Sequence, residues 1–366
     1  MKQKRNRQKK LIPLLLSLAI LLILGGIAIP VARYTASKEG NTGESFPDGE
    51  LAVHFLDVGQ GFCALLISDG HAMLLDGGGR ESSSFVVAYL KEHGIDHLDY
   101  LVASHFDEDH IAGLIGVLKT AKVDAVIQPA YEADTKIYRS LLRAEEETGV
   151  PVLIPQANPT RSNLTGTYFA KDNTVLYRAG TPCSGTATSF TAAGASFAGT
   201  GSSLASKAAT KKQENARASI PLGTPIPLGS AFFTFLGPAS YAHDVENNNS
   251  LVLRASCGKR HFLFPGDAEA AAEGELLSGG LPLRADVLAV GHHGSATSTT
   301  DAFLTAVQPK IAVISCGKNN PYGHPAKQTL DRLKALGTEI LRTDLSGTIV
   351  LSTDGKTIQN ISEIVS

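Results

Sequence analysis

Three apolar runs in this 366-residue chain stop abruptly at ionisable side chains: "LVASH" ends at His105, "FLFPGD" at Asp267, and "VLAVGHH" at His292 and His293. Short runs of this kind, rich in Val, Leu and Phe, read as buried strands. Strand ends on one edge of a sheet can converge, so three such ends predict a fold that gathers them at one site.

The remainder of the chain from Leu51 alternates strand-like and helical patterns. "LAVHFLDVG" and "CALLISDGHAMLLDGGG" make a hairpin-rich start, the second containing two apolar runs parted by the turn-like "SDGH". "SSSFVVAYLKEHGI" has serine caps, an apolar i, i+3, i+4 face and a closing Gly94, which predicts a helix. "HIAGLIGVLKTA", "TKIYRSLLRAEEETG" and "PAKQTLDRLKALG" read as further helices, and "VDAVIQP", "PVLIP", "AFFTFLGP", "KIAVISCG", "EILRTD" and "GTIVLSTDG" as strands. "SLVLRASCGKRHFLFPGD" reads as two strands about a Cys-Gly-Lys-Arg turn. The domain, 51–366, is expected to be α/β. Between about 156 and 217 the alternation fails, and Ser, Thr, Ala and Gly dominate. Such a stretch lacks the large apolar side chains that offset the entropy of ordering, which predicts an insertion on the surface.

The amino end differs from all of this. Residues 1–10, "MKQKRNRQKK", form a basic run, expected to stay cytoplasmic, and 11–32 are apolar throughout, about the 20 residues that cross a bilayer core as a helix. They are expected to be an uncleaved transmembrane signal anchor, followed by a polar linker over 33–50, with the remainder outside the cell. A cleaved signal peptide is the rival reading, but "PVARYTASKEG" has no clear A-x-A site. Net charge is only −2, so no overall field advertises a nucleic-acid or anionic-membrane partner. Cys63, Cys183, Cys257 and Cys316 are scattered without C-x-x-C spacing and are expected to be bystanders.

"SHFDEDH", 104–110, holds two histidines and three carboxylates in seven positions. Placing Asp107 and Asp109 together costs charge repulsion, which a bound divalent cation removes. His105, Asp107 and Asp109 alternate, so they can point one way from a tight turn while His110 turns back. Imidazole and carboxylate together suit zinc, manganese or iron, and a carboxylate between two ions can bridge them. A solvated acidic loop with incidental histidines would leave Asp267 and the His292–His293 pair at other strand ends unexplained.

"HFDEDH" resembles the H-x-H-x-D-H signature of the metallo-β-lactamase superfamily, with Asp107 in the middle histidine's place. "FLDVGQG", "SHFDEDHIAG", "NNNSLVLR", "FLFPGD", "VGHHGS" and "NPYGHP", in this order, resemble the metallo-hydrolase domain of ComEC-type competence proteins, which handle DNA entering bacteria. The resemblance implies an αββα sandwich, here preceded by one transmembrane helix, with one or two divalent ions, Zn or Mn, on one edge of the sheets. Carried over by position, His105, Asp107, Asp109 and His110 become ligands, Asp267 the bridging carboxylate, and His293 the closing ligand. His292 is kept as the alternative to His293, which is preferred because the superfamily commonly ends this strand Gly-His-Gly.

Two positions depart from the pattern. The superfamily usually has a histidine before a strand like "SLVLR", where this chain has Glu246, Asn247, Asn248 and Asn249; competence-type sequences usually have an acidic residue after "VGQG", where this chain has Phe62. Asp57 and Asp76 are expected to give structural support, Asp76 by bracing the metal loop. Gly77, Gly78 and Gly79 read as a turn, with phosphate binding the weaker reading.

The mechanism implied is hydrolysis by a metal-activated water, with Asp109 orienting the nucleophile and His324 or His293 assisting the leaving group. The expected substrate is a phosphodiester of nucleic acid or nucleotides, with Ser295, Ser298, Lys318 and Asn320 near its phosphate oxygens. Two alternatives stay open: an envelope hydrolase of esters, lactones or β-lactams, and a non-catalytic metal-stabilised binding module. Beyond the membrane, contacted through the amino-terminal helix, the sequence names no protein partner.

Overall fold

The computed structural model describes residues 49–156, 168–169, 175–176 and 217–362. The expected anchor at 11–32 and most of the expected insertion lie outside these residues; among the described residues no helix is long and apolar enough to cross a membrane. The described residues fall in two compact units. Of the smaller, Leu90–Ile95 is described, the closing turn of a helix; the larger, Ser45–Tyr89 with Asp96–Ser366, holds both large sheets.

In chain order the strands are β1 (Leu51–Phe55), β2 (Ala64–Ser68), β3 (His71–Leu75), β4 (His97–Val102), β5 (Lys122–Ile127), β6 (Val152–Gln156), β7 (Tyr168–Phe169), β8 (Val175–Leu176), β9 (Arg217–Pro221), β10 (Ile226–Leu228), β11 (Ala231–Gly237), β12 (Val252–Cys257), β13 (Arg260–Phe264), β14 (Val287–Ala289), β15 (Ile311–Ile314), β16 (Glu339–Arg342), β17 (Ile349–Thr353) and β18 (Ile358–Asn360). The helices are α1 (Ser83–Glu92), α2 (Glu108–Thr120), α3 (Lys136–Thr148), α4 (Ala270–Ser278), α5 (Asp301–Val307), α6 (Lys327–Ala335) and the short α7 (Thr343–Ser346).

One sheet runs β18-β17-β1-β2-β3-β4-β5-β6-β9 and the other β10-β11-β12-β13-β14-β15-β16; β7 and β8 pair separately. Each large sheet is half antiparallel and half parallel. The parallel halves are β3-β4-β5-β6-β9 and β13-β14-β15-β16. The β2–β3 hairpin closes through Asp69 and Gly70, both at positive φ, the backbone that matches strand twist in a two-residue turn.

The side-chain period of two decides what packs where. Val53, Phe55, Leu66, Met73, Leu75 and Val102 from the first sheet meet Phe233, Phe235, Leu253, Phe262, Phe264 and Val313 from the second in one buried core. The opposite face of the second sheet, with Leu263, Leu288 and Ile314, packs on Leu276 of α4, Phe303 and Leu304 of α5, and Leu333 of α6. Leu65, Leu74, Leu101 and Val126 on the far face of the first sheet are fully buried too, and α2 and α3, which link parallel strands, bury Ile111, Leu114, Val117 and Leu141. This is the α/β layering of a metallo-β-lactamase fold.

Three details refine the sequence reading. α4 is a helix that the apolar pattern of "AEAAAEGELLS" did not signal, because its core contact is made by few large side chains. "EILRTD" stops being a strand at Arg342, where α7 begins. Cys63, Cys257 and Cys316 are buried and free, as bystanders are; Cys183 lies outside the described residues.

Candidate metal centre

The carboxyl ends of parallel strands supply the site. Asp76 follows β3, the 105–110 motif follows β4, Asp267 follows β13, His292 and His293 follow β14, and His324 lies on the loop after β15. This edge is where open α/β sheets place ligands, because every loop there leaves a parallel strand in the same direction.

Helix α2 begins inside the motif, with Asp107 at its N-cap and Glu108 and Asp109 in its first turn, where the helix dipole favours carboxylates. His110 is one residue further and fully buried, as is His105 just before the helix. The "DGGG" segment exists for this helix. A Cβ on Gly113 would stand 1.9 Å from the carbonyl oxygen of Gly77, so the two glycines let α2 lie directly on the 77–79 segment. Gly77 N–H donates to His110 O (2.7 Å) and Gly78 N–H to Phe62 O (2.9 Å). Those two donors are therefore spent within the fold and are not free for a phosphate.

Around Asp267 the imidazoles converge. His110 Nε2 is 3.4 Å from Asp267 Oδ1; His293 Nε2 is 3.4 Å from Asp267 Oδ2 and 3.4 Å from Asp109 Oδ2. His105 Nε2 lies 3.9 Å from Asp267 Oδ2 and 3.6 Å from Asp107 Oδ2. Two overlapping sets have ligand atoms within 4.8 Å of one another: His105, His110 and Asp267, and Asp109, His110 and His293.

The opposite nitrogen of each ring decides what these atoms can do. His293 Nδ1 faces the carbonyl of Ser315 at 3.0 Å, and a carbonyl only accepts, so Nδ1 carries a proton. His110 Nδ1 faces Asp76 Oδ2 at 2.8 Å and is protonated for the same reason. Asp76 also accepts from Ser104 N–H (2.7 Å) and Ser104 Oγ–H (2.6 Å). With its proton committed, Ser104 Oγ is left to accept from His105 Nδ1 at 3.0 Å. All three Nε2 atoms then point inward as bare lone pairs, and His105 Nε2, buried, has no hydrogen-bond partner. Lone pairs and carboxylates facing one another around a buried Asp267 need positive charge between them.

Two positive species fit, protons or a cation. Burial opposes charging His110 and His293, yet Asp267 and Asp76 raise His110 well above its ordinary value, and Asp267 with Asp109 raises His293 to about 9. Burial likewise opposes ionising Asp267 and Asp109, but His293 and His110 hold both well below the usual carboxylate range. Carboxylate and imidazole in this mixture are the donor set of zinc and manganese sites, so the residues fit a divalent ion.

His292 and His293 take different places. Both have left-handed backbone, φ 50° and 54°, costing about 1 kcal/mol or more each for side chains with a Cβ. The turn drives His293 inward (4% exposed) and leaves His292 at the rim, its Nε2 3.8 Å from Asp267 and its Nδ1 3.4 Å from Glu269. The asparagines that stand where a histidine is usual do other work. Asn248 Oδ1 accepts from the N–H groups of Glu269 and Ala272 at the start of α4, Asn249 braces His243, and Asn247 reaches toward Glu269 and His292. Glu246 accepts from Tyr131 OH, which in turn accepts from Phe106 N–H beside the ligand motif.

The residues expected to hold substrate are placed otherwise. Ser298 is fully buried and donates to Ala268 O; Ser295 is buried, with its hydroxyl paired to Thr297. The Asn320 amide donates to Gly317 O and His324 O and accepts from His324 N–H. Internal hydrogen bonds thus occupy all three side chains, which shape their loops. Lys318 is exposed. Asp57 is exposed and accepts from Gly59 N–H, bracing its own turn without reaching the cluster. His324 stands near His292 and His293, ring centroids 5.5 and 6.4 Å away; burial and those two imidazoles push it below its ordinary value. Phe62 lies nearly parallel to His110 at 6.4 Å, as an apolar wall of the site. Ser104, Glu269 and Tyr131 went unnoticed in the sequence, although Ser104 directly precedes His105 and Glu269 follows Asp267 by two.

This fold and this cluster are those of a metal-site α/β sandwich, and the chain belongs to the metallo-beta-lactamase superfamily, whose family model matches residues 56–318. Among curated relatives, it is 27% identical to ComE operon protein 3 of Bacillus subtilis over 91% of this chain and 36% of that protein. It is 42% identical to Competence protein ComA of Neisseria gonorrhoeae over 32% of this chain and 17% of that protein, and 27% identical to Recombination protein 2 of Haemophilus influenzae over 81% and 28%. The chain thus spans about a third or less of the length of these relatives. Solved structures resembling it include a diphosphatase of the PhnP family, at 13% identity and TM-score 0.39, covering 80% of this chain and 94% of that one.

Proposed function

We propose that this chain is a membrane-anchored, metal-dependent hydrolase that cleaves phosphodiester bonds of nucleic acid or nucleotides. The observation that carries the reading is the inward convergence of three bare imidazole nitrogens on the carboxylate of Asp267. His105, His110, His293 and Asp267, with Asp107 and Asp109 at the open side, would hold one or two divalent ions, zinc or manganese. Such an ion, when bound, lowers the pKa of water and offsets charge developing on a phosphoryl group. Asp76, Ser104 and the Ser315 carbonyl keep each imidazole in the tautomer that binding requires.

Asp109, 36% exposed at the rim and beside His293, is placed to orient the attacking water and take its proton. As the water oxygen bonds to phosphorus, the bond to the leaving oxygen breaks, and that oxygen takes up the proton that Asp109 received, relayed at the rim where His324 stands. The names of the relatives, which concern competence and recombination, favour DNA over a small ester. The basic run and apolar stretch at 1–32 support an anchor in the cell membrane with the catalytic domain outside.

Elemental analysis of the purified chain, paired with a phosphodiester assay before and after chelation, tests this. Bound zinc or manganese with chelator-sensitive cleavage is the expected result. Metal bound with single-stranded DNA, RNA and bis-aryl phosphodiesters all left intact would overturn it.

A further inference from the structure

We propose that Tyr322 and His324 form a stacking platform for a nucleobase, so that the preferred substrate is a single strand whose base next to the scissile phosphate lies on the Tyr322 ring. The inference rests on the phosphodiester reading of the metal centre.

Tyr322 is the anomaly that motivates it. It is 69% exposed, although hydrogen bonds on either side of it tie the loop to the site. The Asn320 amide clamps both backbone groups of His324, Ala326 N–H donates to Gly294 O (2.8 Å) beside His293, and Gly317 N–H donates to Gln60 Oε1 (3.2 Å). The backbone that carries the ring is therefore braced, which lowers the cost of ordering this loop when a ligand arrives.

The direction of the ring is equally informative. Tyr322 and His324 are stacked with centroids 5.7 Å apart and planes 24° apart, and His324 is in turn stacked toward His293, at 6.4 Å and 28°. A row of roughly parallel π-faces leads from the metal ligand outward, with Lys318 exposed on the same loop. A nucleotide has the matching layout, a phosphate at one end and a flat base one sugar away. Aromatic faces hold any base, which suits a hydrolase reading the backbone and not the sequence. A paired base is already stacked in its duplex and cannot supply a free face, so single strands are favoured.

The test measures binding of the detergent-solubilised full chain, in Ca2+, to a labelled short oligothymidylate and to its abasic counterpart by fluorescence anisotropy. Tyr322→Ala should weaken oligothymidylate binding by about tenfold, the size of one lost base–aromatic stack, and leave the abasic strand unchanged. Tyr322→Phe should bind both as the native chain does. Equal binding of oligothymidylate by native and Tyr322→Ala chains, or equal losses with both strands, overturns the platform. Failure of the phosphodiester reading looks different: the native chain turns over no phosphodiester with Mn2+, whatever the binding comparison shows.

Discussion

His110 Nε2 and His293 Nε2 lie 3.2 Å apart although 183 residues separate them in the chain. Each ring has its Nδ1 proton committed elsewhere, to Asp76 and to the Ser315 carbonyl, so the two nitrogens meet lone pair to lone pair. The fold holds this contact against repulsion, and what neutralises it sets how the protein responds to metal and pH.

Without a cation, protons must do so. A folded-state value of about 9 for His293, raised from 6.5 against the opposing effect of burial by Asp267 and Asp109, means stability fully present below about 6.5 and lost as pH rises through about 9. The chelated protein should therefore lose Tm steadily between those values in calorimetry, while the metal-loaded protein does not. A chelated protein with a flat Tm across that window would contradict the account.

Asp76 touches no inward-facing nitrogen, yet it fixes His110. Asp76→Asn can offer an amide N–H to His110 Nδ1 and so reverse the tautomer. Metal affinity should fall by about 10- to 100-fold with the fold intact, measured by competition against a chelating dye alongside circular dichroism. An unchanged affinity would show that the hydrogen bond does not orient the ligand.

Phe62 is packed among Phe55, Phe264 and the face of His110. Phe62→Asp introduces the kind of residue that competence-type sequences carry here, but into an apolar pocket. The loss should be about 3 kcal/mol or more in urea unfolding, against about 1 kcal/mol for Phe62→Leu. Equal effects of the two changes would mean that the pocket can hydrate a carboxylate.

Two helical glycines should respond in opposite directions. Gly113→Ala drives a Cβ into the Gly77 carbonyl and must push α2 outward with His110, lowering both stability and metal affinity. Gly274→Ala, in α4, meets nothing within 4 Å and should stabilise by about 1 kcal/mol. Thermal unfolding of both variants distinguishes them, and a tolerated Gly113→Ala would show that the helix approach is not fixed.

Much of the cluster was legible because its members stand where apolar runs stop: His105, Asp267 and the His292–His293 pair each end a strand, and periodicity marks strands. The crowding of carboxylates in 105–110 pointed to a cation by charge alone. Side-chain direction was not legible in the same way. Ser295, Ser298 and Asn320 had the right chemistry and the right neighbourhood for phosphate, but partners such as Ala268 O and Gly317 O consume them.

Residue type and local period are properties of the sequence itself, and they determined the α/β alternation, the strand ends and the chemical character of the cluster. Whether His292 or His293 enters, which glycine N–H groups are already spent, and that Phe62 walls the site depended on a left-handed turn and on contacts between distant segments. Those are decided only when both sheets close on one core, because a hydrogen-bond partner 20 to 200 residues away leaves no local mark on the residues it will hold.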